Sequence, residues 1–381
     1  MLRSLCSDRV PAKAEIVALA RAIASRHGPC EVRVAPAFAD PQTYRRLHEA
    51  FARGDFSTWR YDDARAARAA DPCHILEQAR SLICIAFAYA TPPPQRPALR
   101  GRVSNYAWSE DYHRRLLDVL HAIARAIDER AGAPVTAVAC DTKPIAERAF
   151  AARAGLGWVG KHTNLISPSL GSFVFLGEIV TSLDIEPDAP LHKSCGACAR
   201  CVDACPTRAL RGDYTIDATR CISDLTQRTD AIPRELRALV GDWVWGCDIC
   251  QVVCPPTQIA GLRGTPSDGA RGECAAPDLV ALLHLSSSEF RSRFRSTAMG
   301  WRGAAVLRRN AAVALGNALD RSTVPALVES LECDPNAMVR AHAAWALGRI
   351  ASPASLEALR LRLAREEDPA VREEIRVSSQ W

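Results

Sequence analysis

Eight of the chain's fifteen cysteines fall between Cys195 and Cys254, at spacings that thiolate chemistry uses. The first four, Cys195, Cys198, Cys201 and Cys205, are followed by Pro206 and form a C-x2-C-x2-C-x3-C-P run. In such a run three thiolates wrap three corners of an iron–sulfur cube, and the fourth turns towards a second cube. The other four are split, with Cys221 alone and Cys247, Cys250 and Cys254 grouped before Pro255. Crossed ligation assigns Cys195, Cys198, Cys201 and Cys254 to one cluster, and Cys205, Cys221, Cys247 and Cys250 to the other. Structural zinc takes four thiolates in closed pairs and has no use for this run. Disulfides belong to secreted chains, and nothing here marks one. The reading is two 4Fe–4S clusters, whose chemistry is electron transfer.

Composition sets the bounds around that module. At 381 residues the chain has room for two or three domains, each with its own core. A formal net charge of only +5 gives no global basic field, and Lys13, Lys143, Lys161 and Lys193 are the only lysines. Residues 1–14 show no apolar signal core and no twin arginine. No run of about 18 apolar residues offers a membrane span. These features predict a cytoplasmic chain without membrane contact, and a monomer. The remaining cysteines, Cys6, Cys30, Cys73, Cys84, Cys140, Cys274 and Cys333, lack metal spacing and are expected to be free thiols.

The elements that must position the cysteines come on both sides. Apolar periodicity predicts helices over 11–27, 41–53 and 109–130, the last with Ser109 as its cap. Continuous apolar or β-branched runs predict strands over 31–36, 81–89, 134–140 and 172–185. Helix alternating with strand argues an α/β domain over 1–190. The double-cluster domain follows at 191–258, and 257–276 has the composition of a linker. Beyond it, Arg308–Gly316 (RRNAAVALG) matches Arg340–Gly348 (RAHAAWALG) thirty-two positions later, and Asp334-Pro335 recurs as Asp368-Pro369. That period, built from pairs of short helices, predicts an all-α HEAT-like domain at 277–381 that packs on the rest. One polar residue stands out in the first domain. Asp141, just past a strand end and before Pro144, has the place of a helix cap or of an acid at a pocket floor.

The order of these parts resembles the epoxyqueuosine reductases, cobalamin-dependent members of the reductive dehalogenase superfamily. The resemblance rests on 101–113 (GRVSNYAWSEDYH), 141–148 (DTKPIAER), 154–162 (AGLGWVGKH) and 171–178 (GSFVFLGE). It continues through the cluster run, 221–226 (CISDLT), 246–251 (GCDICQ), 300–303 (GWRG) and 307–311 (LRRNA). The family implies a cobalamin-binding first domain, a ferredoxin-like double-cluster domain and a HEAT-like tail. It also implies an activity: reduction of the epoxide of epoxyqueuosine at the wobble position of tRNA, giving queuosine, with electrons from an external donor. Asp141 becomes the catalytic acid, expected to be held protonated by burial. Ser104, Asp141, Lys161, His162, Asn164 and Ser223 become cofactor contacts, with the corrin held base-off and no histidine on cobalt. Accordingly the cobalamin motif Asp-x-His-x-x-Gly is missing. Its nearest miss, Asp111-Tyr112-His113, lacks the glycine, so His113 reads as a surface or packing residue. An exported reductive dehalogenase is the alternative, but it would carry a twin-arginine signal and no repeats. The tail, with fourteen arginines against ten acids over 291–381, reads either as a solvated helical face or as a surface that tracks tRNA phosphates. Arg302, Arg308, Arg309 and Arg340 are the expected tRNA contacts, with Arg349 and Arg372 beside them.

Overall fold

The computed structural model describes residues 12–264 and 272–380. Cys6, the start of the first expected helix and the middle of the expected linker lie outside them. Four strands form the main sheet, in the order Cys30–Pro36, Ser81–Ala88, Val174–Thr181, Thr136–Ala139. Every neighbouring pair is antiparallel. Helix and sheet are mixed as expected, but the parallel strands that an α/β reading implies are replaced by antiparallel ones. The segment from Ser81–Ala88 to Thr136–Ala139, with the helix Tyr112–Ala131, crosses back to the near end, but Val174–Thr181 enters between these two strands and runs against both.

Ser81–Ala88 is buried along its whole length, as its unbroken apolar run requires. On one face Ile83, Ile85 and Phe87 pack with Leu116, Leu120, Ile123 and Ile127 of the helix Tyr112–Ala131. On the other, Leu82, Cys84 and Ala86 meet Phe150 and Ala151 of the helix Glu147–Arg153. The helix Tyr112–Ala131 is capped by Asp111, which accepts from the His113 N–H, and not by Ser109. That shift of two residues brings His113 into the first turn, at the sheet's edge.

The segment read as a linker is partly structured. Pro255–Ala260 is a helix, and buried Thr257 bonds both the backbone N–H and the hydroxyl of Ser172. Among the described residues no helix is long and apolar enough to cross a membrane.

The tail stacks five helices, Ala304–Ala318, Val324–Cys333, Ala337–Ile350, Pro353–Leu363 and Pro369–Ser378. The recurring glycines explain themselves here. A Cβ on Gly316 would lie 2.8 Å from the Ala346 backbone, and one on Gly348 would lie 2.5 Å from the Ser378 carbonyl oxygen. Only glycine allows these helices so close. The tail does not stand apart: Trp243, Val244 and Trp245 share one core with Leu307, Ala311 and Leu315.

Candidate active site

The cluster cysteines sit on short helices and at their starts. Cys201 lies within Arg200–Asp203 and Cys250 within Ile249–Val252, while Cys221 and Cys254 immediately precede Ile222–Gln227 and Pro255–Ala260. Each of the buried sulfurs feels others of the set. The Cys254 thiol, pushed up first by burial, feels Cys195 and Cys198, and the Cys201 thiol feels Cys195 and Cys254. The Cys247 thiol feels Cys221 and Cys205, and burial raises Cys221 to about 11. The Cys250 thiol, raised by burial, feels Cys247 and Cys221 and also Cys201, so the fold brings both expected sets close to one another. Backbone N–H groups already point at two of the sulfurs, Lys161 to Cys195 (3.4 Å) and Ala209 to Cys205 (3.3 Å). Such bonds stabilise thiolate charge and help set a cluster's potential.

Asp141 stands at the far edge of the sheet with a positive φ of 48°, a region that aspartate tolerates better than most residues. Its backbone N–H donates to a Glu147 carboxylate oxygen, which pins the turn. Tyr112 donates to its Oδ2 at 2.8 Å, and His113 Nε2 lies 3.0 Å from the same oxygen. His113 Nδ1 faces Asp111 at 2.6 Å. With a carboxylate on each ring nitrogen, the imidazole is held doubly protonated. Burial works against that charge, but the bonds to Asp111 and Asp141 outweigh it and raise His113 to about 9. The reverse holds for Asp141. The bond from His113, outweighing burial, and the bond from Tyr112 hold its carboxyl below the usual range.

The expectation of a protonated Asp141 is therefore corrected. The carboxyl is 57% exposed and doubly hydrogen-bonded, so burial does not decide its charge. The charges of the pair instead favour a proton on His113, a residue read from the sequence as surface or packing. Its partner lies twenty-eight residues away, beyond the rest of the helix Tyr112–Ala131 and the strand Thr136–Ala139, so no local pattern could pair them. The remaining signal was Asp111, two residues before the histidine.

Behind this group lies an aromatic wall. Tyr112 stacks on Phe175 (centroids 4.1 Å apart), Phe175 on Tyr89 (4.1 Å), and Tyr89 meets Phe173 edge-on (5.8 Å). Phe173 in turn lines a cavity of about 750 Å³ with Thr91, Asn105, Asp248 and Val252. Asp248 lies between two cluster cysteines and accepts from Ser104 and from the Asn105 N–H, while burial pushes its carboxyl up to about 6.

The expected cofactor contacts do not all gather in one place. Ser104 is buried beside this cavity. Lys161 donates to the Gly196 carbonyl in the first cysteine loop. His162 is buried, accepts from the Asn164 N–H and is lowered to about 4 by burial. Its Nε2, like Trp158 Nε1 in the same loop, has no partner. Ser223 accepts from Gln227.

Three of the four expected tRNA arginines are otherwise engaged. Arg308 pairs with Asp334 (2.7 Å), and Arg340 with Glu366 (2.9 Å), each joining one repeat to the next. Arg309 is fully buried, donating to the Leu225 and Arg228 carbonyls and to Asn310. These three hold the tail together and onto the cluster region; Arg309, with no exposed surface, cannot meet a phosphate, and that expectation is corrected. Arg372 likewise donates to the Leu363 and Glu366 carbonyls, and Arg349 lies over Trp345. Arg302 alone of the four lies at the surface, over Trp301.

Eight cysteines at double-cluster spacing, with Asp248 between two of them lining a cavity, mark an iron–sulfur protein. Comparison with known proteins gives the family. A family model described as epoxyqueuosine reductase QueG, DUF1730, matches residues 69–142. A 4Fe-4S double cluster binding domain matches 194–257, and HEAT repeats match 303–379. The epoxyqueuosine reductase of Lactococcus garvieae is 41% identical over 72% of this chain and 80% of its own length. That of Bacillus subtilis is 37% identical over 80% of each. A crystal structure of epoxyqueuosine reductase with an epoxyqueuosine-modified tRNA-Tyr stem loop superposes with a TM-score of 0.89 at 33% identity, covering 97% of this chain and 98% of that one. Another, from B. subtilis with its catalytic aspartate loop swung out of the active site, gives 0.88 at 32% identity, covering 97% and 98%. The chain belongs to the epoxyqueuosine reductase family.

Proposed function

We propose that the chain reduces the epoxide of epoxyqueuosine, carried at the wobble position of a tRNA, to the alkene of queuosine. Both carbon–oxygen bonds of the epoxide break, and two electrons and two protons leave the oxygen as water. The observation that carries this reading is the Tyr112–His113–Asp141 group, joined through the Phe175, Tyr89 and Phe173 rings to a cavity that Asp248, between two of the cluster cysteines, also lines. Cys195, Cys198, Cys201 and Cys254 hold one 4Fe–4S cluster, and Cys205, Cys221, Cys247 and Cys250 the other, with an external donor supplying electrons. Domain limits near 190, 258 and 277 divide the work among cofactor, clusters and tail.

The cavity, with Asn105 and Asp248 in its lining, and apart from it the buried Trp158 Nε1 and His162 Nε2 without partners, offer polar groups that a large cofactor could use. Bound there, cobalamin would supply the low-potential chemistry that side chains cannot. Ser104, Lys161, His162, Asn164 and Ser223, with Asn105 and Asp248, would hold it.

The chain's own residues manage the proton. His113 stores it at Nε2, and Asp141 Oδ2, open to the substrate, passes it to the departing oxygen. Tyr112 fixes that oxygen's direction, and Glu147 fixes the backbone beneath it.

Anaerobic incubation of the cluster-loaded protein with cobalamin, a strong reductant and epoxyqueuosine RNA tests the reading. Nucleoside mass spectrometry should show loss of one oxygen. Unchanged nucleoside from fully loaded protein would overturn it. The ligand assignment makes its own prediction. Cys198→Ala should lower bound iron to about half, because the second quartet keeps all four thiolates. Iron content equal to wild type would remove Cys198 from the ligand set.

A further inference from the structure

Large apolar rings at a protein surface need a reason. Trp59 and Trp301 are 43% and 51% exposed, yet they come from opposite ends of the chain and stack on each other, with centroids 5.9 Å apart and planes at 26°. Arg302 lies over both, 3.6 Å from the Trp301 centroid and 5.3 Å from that of Trp59. Its Nε is buried without a hydrogen-bond partner, and the carboxylates it feels are those of Asp224 and Asp230.

The arrangement is preformed. Ser57 donates to Asp224 and accepts from Arg228, while Asp55 pairs with Arg211 and Arg53. These bonds fix the turn that carries Trp59 against the cluster region. Trp301 leads into the repeat helix that Arg309 anchors to the same region.

The platform also leads to the active site through contacts already in place. Trp301 meets Trp245 edge-on (6.4 Å), and Trp245 Nε1 donates to Tyr106 Oη (2.9 Å). Tyr106 meets Tyr112 edge-on (6.1 Å), and Tyr112 bonds Asp141. Four contacts thus separate the exposed rings from the proton pair.

We infer that Trp59 and Trp301, with Arg302, form a stacking platform for an unpaired nucleotide of the substrate RNA next to the one whose base enters the site. The inference rests on the reading given under Proposed function. A base that reacts in a pocket must leave its stack, which strips its neighbours of a stacking partner at a cost of a few kcal/mol. An exposed aromatic surface that takes up such a neighbour restores that contact and tolerates any base, because every base offers a π-face. The guanidinium adds a charge that stacks as well as binds phosphate. With Arg308, Arg309 and Arg340 committed inside the fold, this is the place in the tail where cation and aromatic face the solvent together.

The test uses cluster-loaded protein and an anticodon stem-loop RNA with 2-aminopurine beside the wobble position. Binding to wild type should quench the probe. Trp301→Ala and, independently, Trp59→Ala should each weaken RNA affinity by roughly tenfold, within the range for one lost stacked base, and relieve the quenching. Trp301→Phe should retain most of both, and iron content should match wild type throughout. If both alanine variants bind and quench as wild type does, the platform is wrong. The functional reading survives that result provided wild type still converts epoxyqueuosine RNA. If wild type neither binds nor converts it, both fall together.

Discussion

Replacing Asp141 with asparagine is expected to lower turnover by about 10²-fold or more, the usual span for a lost acid–base group. The substitution keeps size and shape, so the Tyr112 contact and the left-handed turn survive. It removes the negative charge that, with Asp111, holds the second proton on His113. Corrin and iron content should match wild type, since none of the cluster cysteines touches this side chain. A wild-type rate with full cofactor content would return Asp141 to a structural role at the head of its loop.

The second large effect is on stability. Arg309→Ala should destabilise the protein by about 3 kcal/mol or more, because the side chain is fully buried and its removal leaves several carbonyl oxygens without donors. Those carbonyls belong to Leu225 and Arg228, in and just after the helix that follows Cys221. Iron in the second quartet should therefore become labile as the melting temperature falls. Thermal unfolding followed alongside iron release measures both. Unfolding at the wild-type temperature would mean that the tail is not held by this arginine.

How far each part could be read from the chain follows from how local its cause is. The double-cluster domain was legible because a cube fixes cysteine spacing within a few residues. The tail was legible because stacking repeats itself, and Gly316 and Gly348 mark the same helix contact thirty-two positions apart. Its arginines misled, because a basic residue on a helix looks the same whether it meets a phosphate or the next repeat's carboxylate. The clue lay in the repeat itself, since Arg308–Asp334 and Arg340–Glu366 span the same twenty-six residues. Strand direction was not legible, because apolar runs such as Leu82–Phe87 mark burial and say nothing of which neighbour pairs with them. His113 was lost for a different reason. A histidine in the first turn of an amphipathic helix has an ordinary packing role, and only the fold brings Asp141 to it.

The central claim is that the proton for the departing oxygen is held by His113 against Asp141. A group raised to about 9 stays protonated below that pH and loses its proton as pH rises through it. A protonated Asp141 would instead be lost in the acid range, where its depressed carboxyl ionises. The measurement is the single-turnover rate on epoxyqueuosine RNA between about pH 6 and pH 10, at constant iron and corrin content, for wild type and His113→Gln. The account predicts a rate that holds to about pH 9 in wild type and then falls about tenfold per pH unit, with a lower rate and no such limb in the variant. A variant that keeps both the wild-type rate and the alkaline limb would contradict it.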